Sequence, residues 1–139
     1  MKTMNKTICI PRTLANQLLT LAQLSPEAEI CGLVSHSPDN KYRVYPVSNI
    51  AKDNRCVFEM DPQQQISAFK QIRETKQDLF AIYHSHPKSD AIPSKKDLTE
   101  SAYSDALNII ISLNTEGVLD MRGFFYQQDK VETVDLIIS

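Results

Sequence analysis

Two histidines and an aspartate are spaced in this sequence as the protein ligands of a zinc site. His84 and His86 follow the run 79–83, which is short, apolar and rich in bulky residues and therefore predicts a buried strand. Because strand side chains alternate between faces, both imidazoles should point the same way. Asp97, in the first turn of a predicted helix, adds a carboxylate. A catalytic zinc takes three such ligands and keeps a fourth position for water, so the pattern predicts a hydrolytic zinc centre.

Hydrolysis also needs a base outside the metal shell and a donor for the oxyanion. Glu29 is the best-placed base because it lies just ahead of the predicted buried strand 30–34, and Glu27 stays open as an alternative. Ser94 precedes Asp97 by one helical turn and is the predicted oxyanion donor. The same Ser-x-x-Asp pattern also predicts a capping box, which is compatible with catalysis because it would orient both side chains.

Composition limits the classes of protein to consider. The chain has 139 residues, 42% of them hydrophobic and 23% charged, with a net charge of −2. This predicts one globular domain over residues 1–139, with no basic stripe for nucleic acid and no apolar run of the ~18 residues that a membrane helix needs. The N-terminus has no apolar signal core, and three scattered cysteines favour reduced, mostly buried thiols. A cytoplasmic location is therefore expected.

The hydrophobic pattern predicts strands interspersed with fewer helices, and hence an α/β or α+β fold with one central mixed sheet. The predicted strands cover 7–10, 30–34, 42–47, 56–60, 79–83, 107–113, 120–126 and 130–139. The predicted helices are one capped by Thr13, one capped by Asp61 that runs to about Thr75 with Ile66, Phe69 and Ile72 on one face, and one from Ser94 to about Tyr103.

At these residues the chain resembles the JAMM (MPN-plus) zinc metalloproteases, and in particular their small stand-alone prokaryotic members. The family pattern is a Glu just ahead of Cys-Gly, then His-x-His-Pro, six residues, and Ser-x-x-Asp. Every position of it is present here, as Glu29-Ile30-Cys31-Gly32, His84-Ser85-His86-Pro87 and Ser94-Lys95-Lys96-Asp97. The predicted order of strands and helices matches the family across nearly the whole chain.

The resemblance implies a cytidine-deaminase-like fold, with a curved mixed sheet packed between helices. It implies that His84, His86 and Asp97 bind one zinc ion, that Glu29 moves the proton of the attacking water, and that Ser94 stabilises the tetrahedral intermediate. It also implies a peptidase or isopeptidase that cuts after the Gly-Gly-like tail of a ubiquitin-like or sulfur-carrier protein. The oligomeric state stays open.

Other proteins with an HxH pair fit less well. Metal-dependent barrel hydrolases need about 250 residues, metallo-β-lactamase-like sites continue as HxHxDH, and a cupin needs a third histidine downstream. The remaining rival is a non-catalytic MPN scaffold that assembles complexes. Such relatives typically lose metal ligands, whereas this sequence keeps all three.

Overall fold

The computed structural model describes residues 6–99, 106–115, 120–127 and 130–139. In chain order, its elements are β1 (Lys6–Ile10), α1 (Arg12–Gln23), β2 (Cys31–His36), β3 (Tyr42–Val47), α2 (Pro62–Glu74), β4 (Asp78–His86), α3 (Lys95–Thr99), β5 (Leu107–Ser112), β6 (Asp120–Gln127) and β7 (Lys130–Ile138). No helix in these ranges is both long and apolar enough to cross a membrane. The predicted continuation of the third helix, over 100–103, lies outside the described residues.

All the strands join one mixed sheet with the order β1-β7-β6-β5-β4-β2-β3. The pairs β1·β7 and β4·β5 are parallel, and the other neighbouring pairs are antiparallel. The predicted α/β class with one central mixed sheet is therefore confirmed. Strand β4 lies inside the sheet between β5 and β2, so the segment that ends in the two histidines has a hydrogen-bonded neighbour on each side.

The helices α1 and α2 pack on opposite faces of the sheet. Ala81 and Tyr83 of β4 belong to the core cluster that includes α1, whereas Ile82 belongs to the cluster that includes α2. Since side chains alternate along a strand, His84 and His86 share the face of Ile82. The two histidines therefore project from the α2 side of the sheet, just beyond that core cluster.

Helix α2 begins as predicted. The Asp61 carboxylate accepts hydrogen bonds from the backbone N–H groups of Gln63 and Gln64, and Pro62 occupies the first helical position. The predicted apolar face is wrong at Ile66, whose side chain is exposed. The helix buries Ala68 and Ile72 against the sheet instead, with Phe69 partly buried beside them.

Helix α1 starts two residues earlier than a cap at Thr13 predicts. Its N-cap residue is Pro11, which makes no side-chain capping bond. The Arg12 N–H donates to the carbonyl oxygen of Ser139 at 2.9 Å. A backbone contact with residue Ser139 thus satisfies the N–H group of the first helical residue, where no side chain caps the helix.

The predicted strand over 56–60 does not form. Cys56 and Val57 both donate their N–H groups to the Asp53 carbonyl in a turn. Within the predicted segment only Met60 forms a β-bridge, with Asn49. The cysteine prediction is also only partly right. Cys31 is buried and donates to the Val47 carbonyl, and burial raises its pKa to about 12, but Cys9 and Cys56 are exposed.

Gly32 leaves room for the Tyr83 side chain beside strand β2. A Cβ atom at this position would clash with the Tyr83 hydroxyl oxygen and would stand 2.5 Å from the Tyr45 carbonyl oxygen. Gly32 pairs with Tyr83 across the β2–β4 ladder. The close neighbours of this glycine are thus the adjacent strands β4 and β3.

We expect Gly32→Ala to destabilise the fold by about 1–3 kcal/mol, because one of the two atoms in the way is a backbone oxygen that cannot rotate aside. Urea denaturation measures the change. Gly123→Ala is the matched control, since its Cβ would meet only the flexible ends of Leu107 and Leu136 at about 3.1 Å. Equal losses in the two variants would contradict this explanation.

Candidate metal centre

The two histidines stand at the end of β4 and are almost completely buried. His84 pairs with Cys31 of β2 and with Ile110 of β5, so its backbone is fixed from both sides. The ring centroids of His84 and His86 are 4.9 Å apart. Regular strand geometry thus brings the imidazoles together without any turn or loop between them.

Asp97 completes a triangle of three polar atoms. The Nε2 atoms of His84 and His86 are 3.1 Å apart, and Asp97 Oδ2 lies 3.2 Å from the first and 3.3 Å from the second. Ligands bound about 2.0 Å from a tetrahedral zinc are separated by roughly 3.3 Å. The donor set and its spacing therefore fit a zinc ion, and the structure brings together the three predicted ligands.

A capping box holds Asp97 in place. The Asp97 N–H donates to Ser94 Oγ at 3.0 Å, and the Ser94 N–H donates to Asp97 Oδ2 at 2.8 Å. The oxygen that accepts the capping bond is the same one that faces the histidines. Since a carboxylate oxygen has two lone pairs, one atom can accept the backbone bond and still face a cation.

The tautomer of His86 suits a metal ligand. Its Nδ1 atom lies 2.8 Å from the Asp90 carbonyl oxygen. Because a carbonyl only accepts hydrogen bonds, Nδ1 must carry the hydrogen, which leaves the Nε2 lone pair for the triangle in the neutral ring. His84 Nδ1 finds no hydrogen-bond partner among the described residues.

Phe58 is a contact that sequence reasoning missed. Its ring stacks on His84, with centroids 4.5 Å apart and planes inclined by 26°. The sequence predicts Phe58 on a strand, and no spacing pattern links it to the histidines. Only the tertiary structure brings the segment around Phe58 over the end of β4.

The electrostatics of the triangle favour positive charge at its centre. Burial by itself would raise the pKa of Asp97, but the two neighbouring histidines and the hydrogen bond from the Ser94 N–H outweigh it and lower that pKa. Burial would likewise lower the pKa of His86, and the bonds to Asp97 and the Asp90 carbonyl reverse the shift. For His84, burial prevails and its pKa is lowered. The site therefore keeps a carboxylate ionised beside two nitrogen donors.

Glu29 lies next to the triangle, on the segment that leads into β2. Its carboxylate has an oxygen within 4.8 Å of a ring nitrogen of each histidine. The residue is 4% exposed, and its Oε1 has no hydrogen-bond partner among the described residues. Burial raises its pKa to about 8. Glu27, the alternative base, is exposed and pairs instead with Lys88 at the surface, at 3.8 Å.

An open cleft of about 340 Å³ gives access to this centre from solvent. Its lining includes Glu29, Arg55, Cys56, His86, Lys88 and Ser94. Ser94 therefore faces the space beside Glu29 while its Oγ accepts the capping bond. All five residues singled out from the sequence thus lie at one site, and an extended chain entering the cleft would meet Glu29, His86 and Ser94.

Comparison with known proteins agrees with this geometry. Residues 11–123 match the family of prokaryotic homologs of the JAB domain. A desampylase from Haloferax volcanii is 34% identical over 89 residues, which are 63% of this chain and 64% of that protein. A CysO-cysteine peptidase from Mycobacterium tuberculosis is 23% identical over 119 residues, 84% of this chain and 81% of that protein.

The fold has solved counterparts as well. The solution structure of protein DSY2949 from Desulfitobacterium hafniense superposes with a TM-score of 0.81 at 27% identity, covering 96% of this chain and 93% of that one. The family match covers most of the chain, including each of the five residues of the site. The chain belongs to the prokaryotic JAB-domain family.

Proposed function

We propose that this protein is a zinc-dependent metallopeptidase or isopeptidase, acting as one domain over residues 1–139. His84, His86 and Asp97 hold one zinc ion, Glu29 is the general base, and Ser94 is the oxyanion donor. The observation that carries the proposal is the triangle of ligand atoms, 3.1–3.3 Å apart, with a buried carboxylate beside it and an open cleft leading to both.

When bound, zinc supplies a Lewis acid that makes water acidic enough to act as a nucleophile near neutral pH. Glu29 takes a proton from the attacking water at its carboxylate and later delivers it to the leaving nitrogen. Burial raises its pKa toward the working pH, which suits it to both steps, because such a carboxyl group can accept a proton and give it up again. Its Oε1, which has no partner among the described residues, is the atom free to hold this proton.

Ser94 acts on the carbonyl oxygen of the scissile bond. Its Oγ lone pair already accepts the Asp97 N–H. Its hydroxyl hydrogen is left to donate to the negative charge that develops on the carbonyl oxygen, while the capping bond keeps the hydroxyl in position. Asp97 and Ser94 are thus held by one local motif, although they serve the metal and the substrate respectively.

The proposed substrate is a protein, namely a ubiquitin-like or sulfur-carrier protein with a Gly-Gly-like tail, cut at the peptide or isopeptide bond after that tail. The names of the relatives, a desampylase and a CysO-cysteine peptidase, support this class. A tail without side chains suits a bond that must reach a buried metal centre. The free cysteines fit a reducing compartment, and we place the activity in the cytoplasm.

The test is to incubate the zinc-loaded protein with ubiquitin-fold sulfur carriers that bear C-terminal extensions, and to read the products by intact mass. We expect loss of the extension at the bond after Gly-Gly. A carrier whose tail is changed to Val-Val is the matched control and should stay intact. Cleavage elsewhere, or none in either carrier, would contradict the proposed substrate.

A further inference from the structure

Asn49 uses the whole hydrogen-bonding capacity of its side chain near the metal centre. Its Nδ2 donates to the carbonyl oxygens of Glu29 and Val57, each at 3.0 Å. Its Oδ1 accepts from the N–H groups of Ala51 at 3.0 Å and Glu59 at 2.9 Å. A side-chain amide has two donor hydrogens and two lone pairs. All of them are engaged, so this amide is fixed in one orientation.

Two hydrogen bonds, one of them from Asn49, hold the backbone N–H and carbonyl groups of Glu29. This residue precedes the first paired residue of β2, so the strand ladder does not hold its carbonyl group. The Asn49 amide binds that carbonyl, and the Glu29 N–H donates to the Asn54 carbonyl at 2.7 Å. Both polar groups of the Glu29 backbone are therefore held by the loop that follows β3.

Two further hydrogen bonds of Asn49 hold the backbone on either side of Phe58. Asn49 binds the carbonyl group of Val57 and the N–H group of Glu59, the residues on either side of Phe58. The Phe58 ring in turn stacks on His84. A single amide therefore controls both the backbone that presents Glu29 and the backbone that presents the ring against His84.

We propose that Asn49 is a positioning residue that sets the placement of Glu29 relative to His84. The inference rests on the proposed function in that it takes Glu29 as the base and His84 as a ligand. Asn49 does not belong to the described residues that line the cleft. Its effect should therefore fall on turnover and metal binding, and not on substrate binding.

The decisive variant is Asn49→Asp, made in the full chain and loaded with zinc. Aspartate keeps the shape and both acceptor bonds, but it loses both N–H donors and turns an oxygen toward the carbonyl groups of Glu29 and Val57. We expect kcat to fall about 100-fold, as misplacement of a catalytic group by about 1 Å does. KM should change less than about threefold, and the Kd for zinc should rise about tenfold.

Asn108→Asp is the matched control. Asn108 is buried where Asn49 is partly buried, and it too donates its side-chain amide, to the Ala106 carbonyl at 3.3 Å. A purely structural effect of losing a hydrogen-bonded amide would lower Tm in both variants. Only Asn49→Asp should also lower kcat at constant KM and weaken zinc binding. If Asn49→Asp does not fold, the uncharged Asn49→Ser variant replaces it.

The outcomes separate this inference from the proposed function. Should the wild type cut no carrier, the proposed substrate fails, and the zinc titrations still decide the role of Asn49. A zinc Kd about tenfold higher in the Asn49 variant than in the Asn108 variant would support the positioning role of Asn49. Equal Kd values, or an unchanged kcat in an active enzyme, would overturn it.

Discussion

Wild-type protein is expected to bind about one zinc ion per chain, and His84→Ala or Asp97→Ala should each lose that zinc together with peptidase activity. Either change leaves two protein ligands where a catalytic zinc site needs three. Metal analysis of dialysed protein gives the stoichiometry, and cleavage of a carrier protein gives the activity. We expect zinc content near zero and turnover at background in both variants.

Two controls separate loss of a ligand from loss of structure. His36→Ala removes the remaining histidine, which lies at the end of β2 and contacts Asn40 and Tyr42. This variant should bind zinc as the wild type does. Asp97→Asn keeps an oxygen that can accept the Ser94 N–H bond, so it should preserve the cap of α3 and still weaken zinc binding. A correctly folded wild type that takes up no zinc would favour the non-catalytic scaffold.

Glu29→Gln should keep zinc and the fold while lowering kcat by about 10²–10⁴-fold, the usual contribution of a general acid–base group. Glutamine has the same shape, and its amide cannot take a proton from water at neutral pH. Zinc content and Tm should match those of the wild type, because Glu29 makes no side-chain hydrogen bond to the described residues that the change would break.

Glu27→Gln is the matched control for this prediction. It lies two residues away on the same segment, and its carboxylate is exposed. Its turnover should equal that of the wild type within about threefold, since an exposed salt bridge contributes little. Undiminished turnover in Glu29→Gln would show that another group takes the proton.

The parts of the site that local chain geometry determines could be predicted from the sequence. Alternation along a strand placed His84 and His86 on one face, and the Ser-x-x-Asp spacing indicated the capping box that holds Asp97. The placement of Glu29 beside them follows from the pairing of β2 with β4. No local pattern encodes that register, and the choice of Glu29 over Glu27 depended on the family resemblance.

The errors arose where long-range contacts decide the local structure. The composition of 56–60 favours a strand, yet the Asn49 side chain takes two of the backbone groups that a ladder would use. Helix α1 begins at Arg12 because the end of the chain supplies an acceptor for its N–H. Periodicity likewise cannot settle which side of α2 meets the sheet, and Ile66 remained exposed.

The spacing of the site along the chain has a consequence for the order of folding. His84, His86 and Asp97 lie close together in sequence, so a short loop suffices to bring them together. Glu29 reaches them only after β2 has paired with β4 over a much longer loop, which costs more entropy to close. We therefore expect a refolding chain to bring the three proposed metal ligands together before the proposed base joins them. Uptake of the ion should then precede the ability to cut.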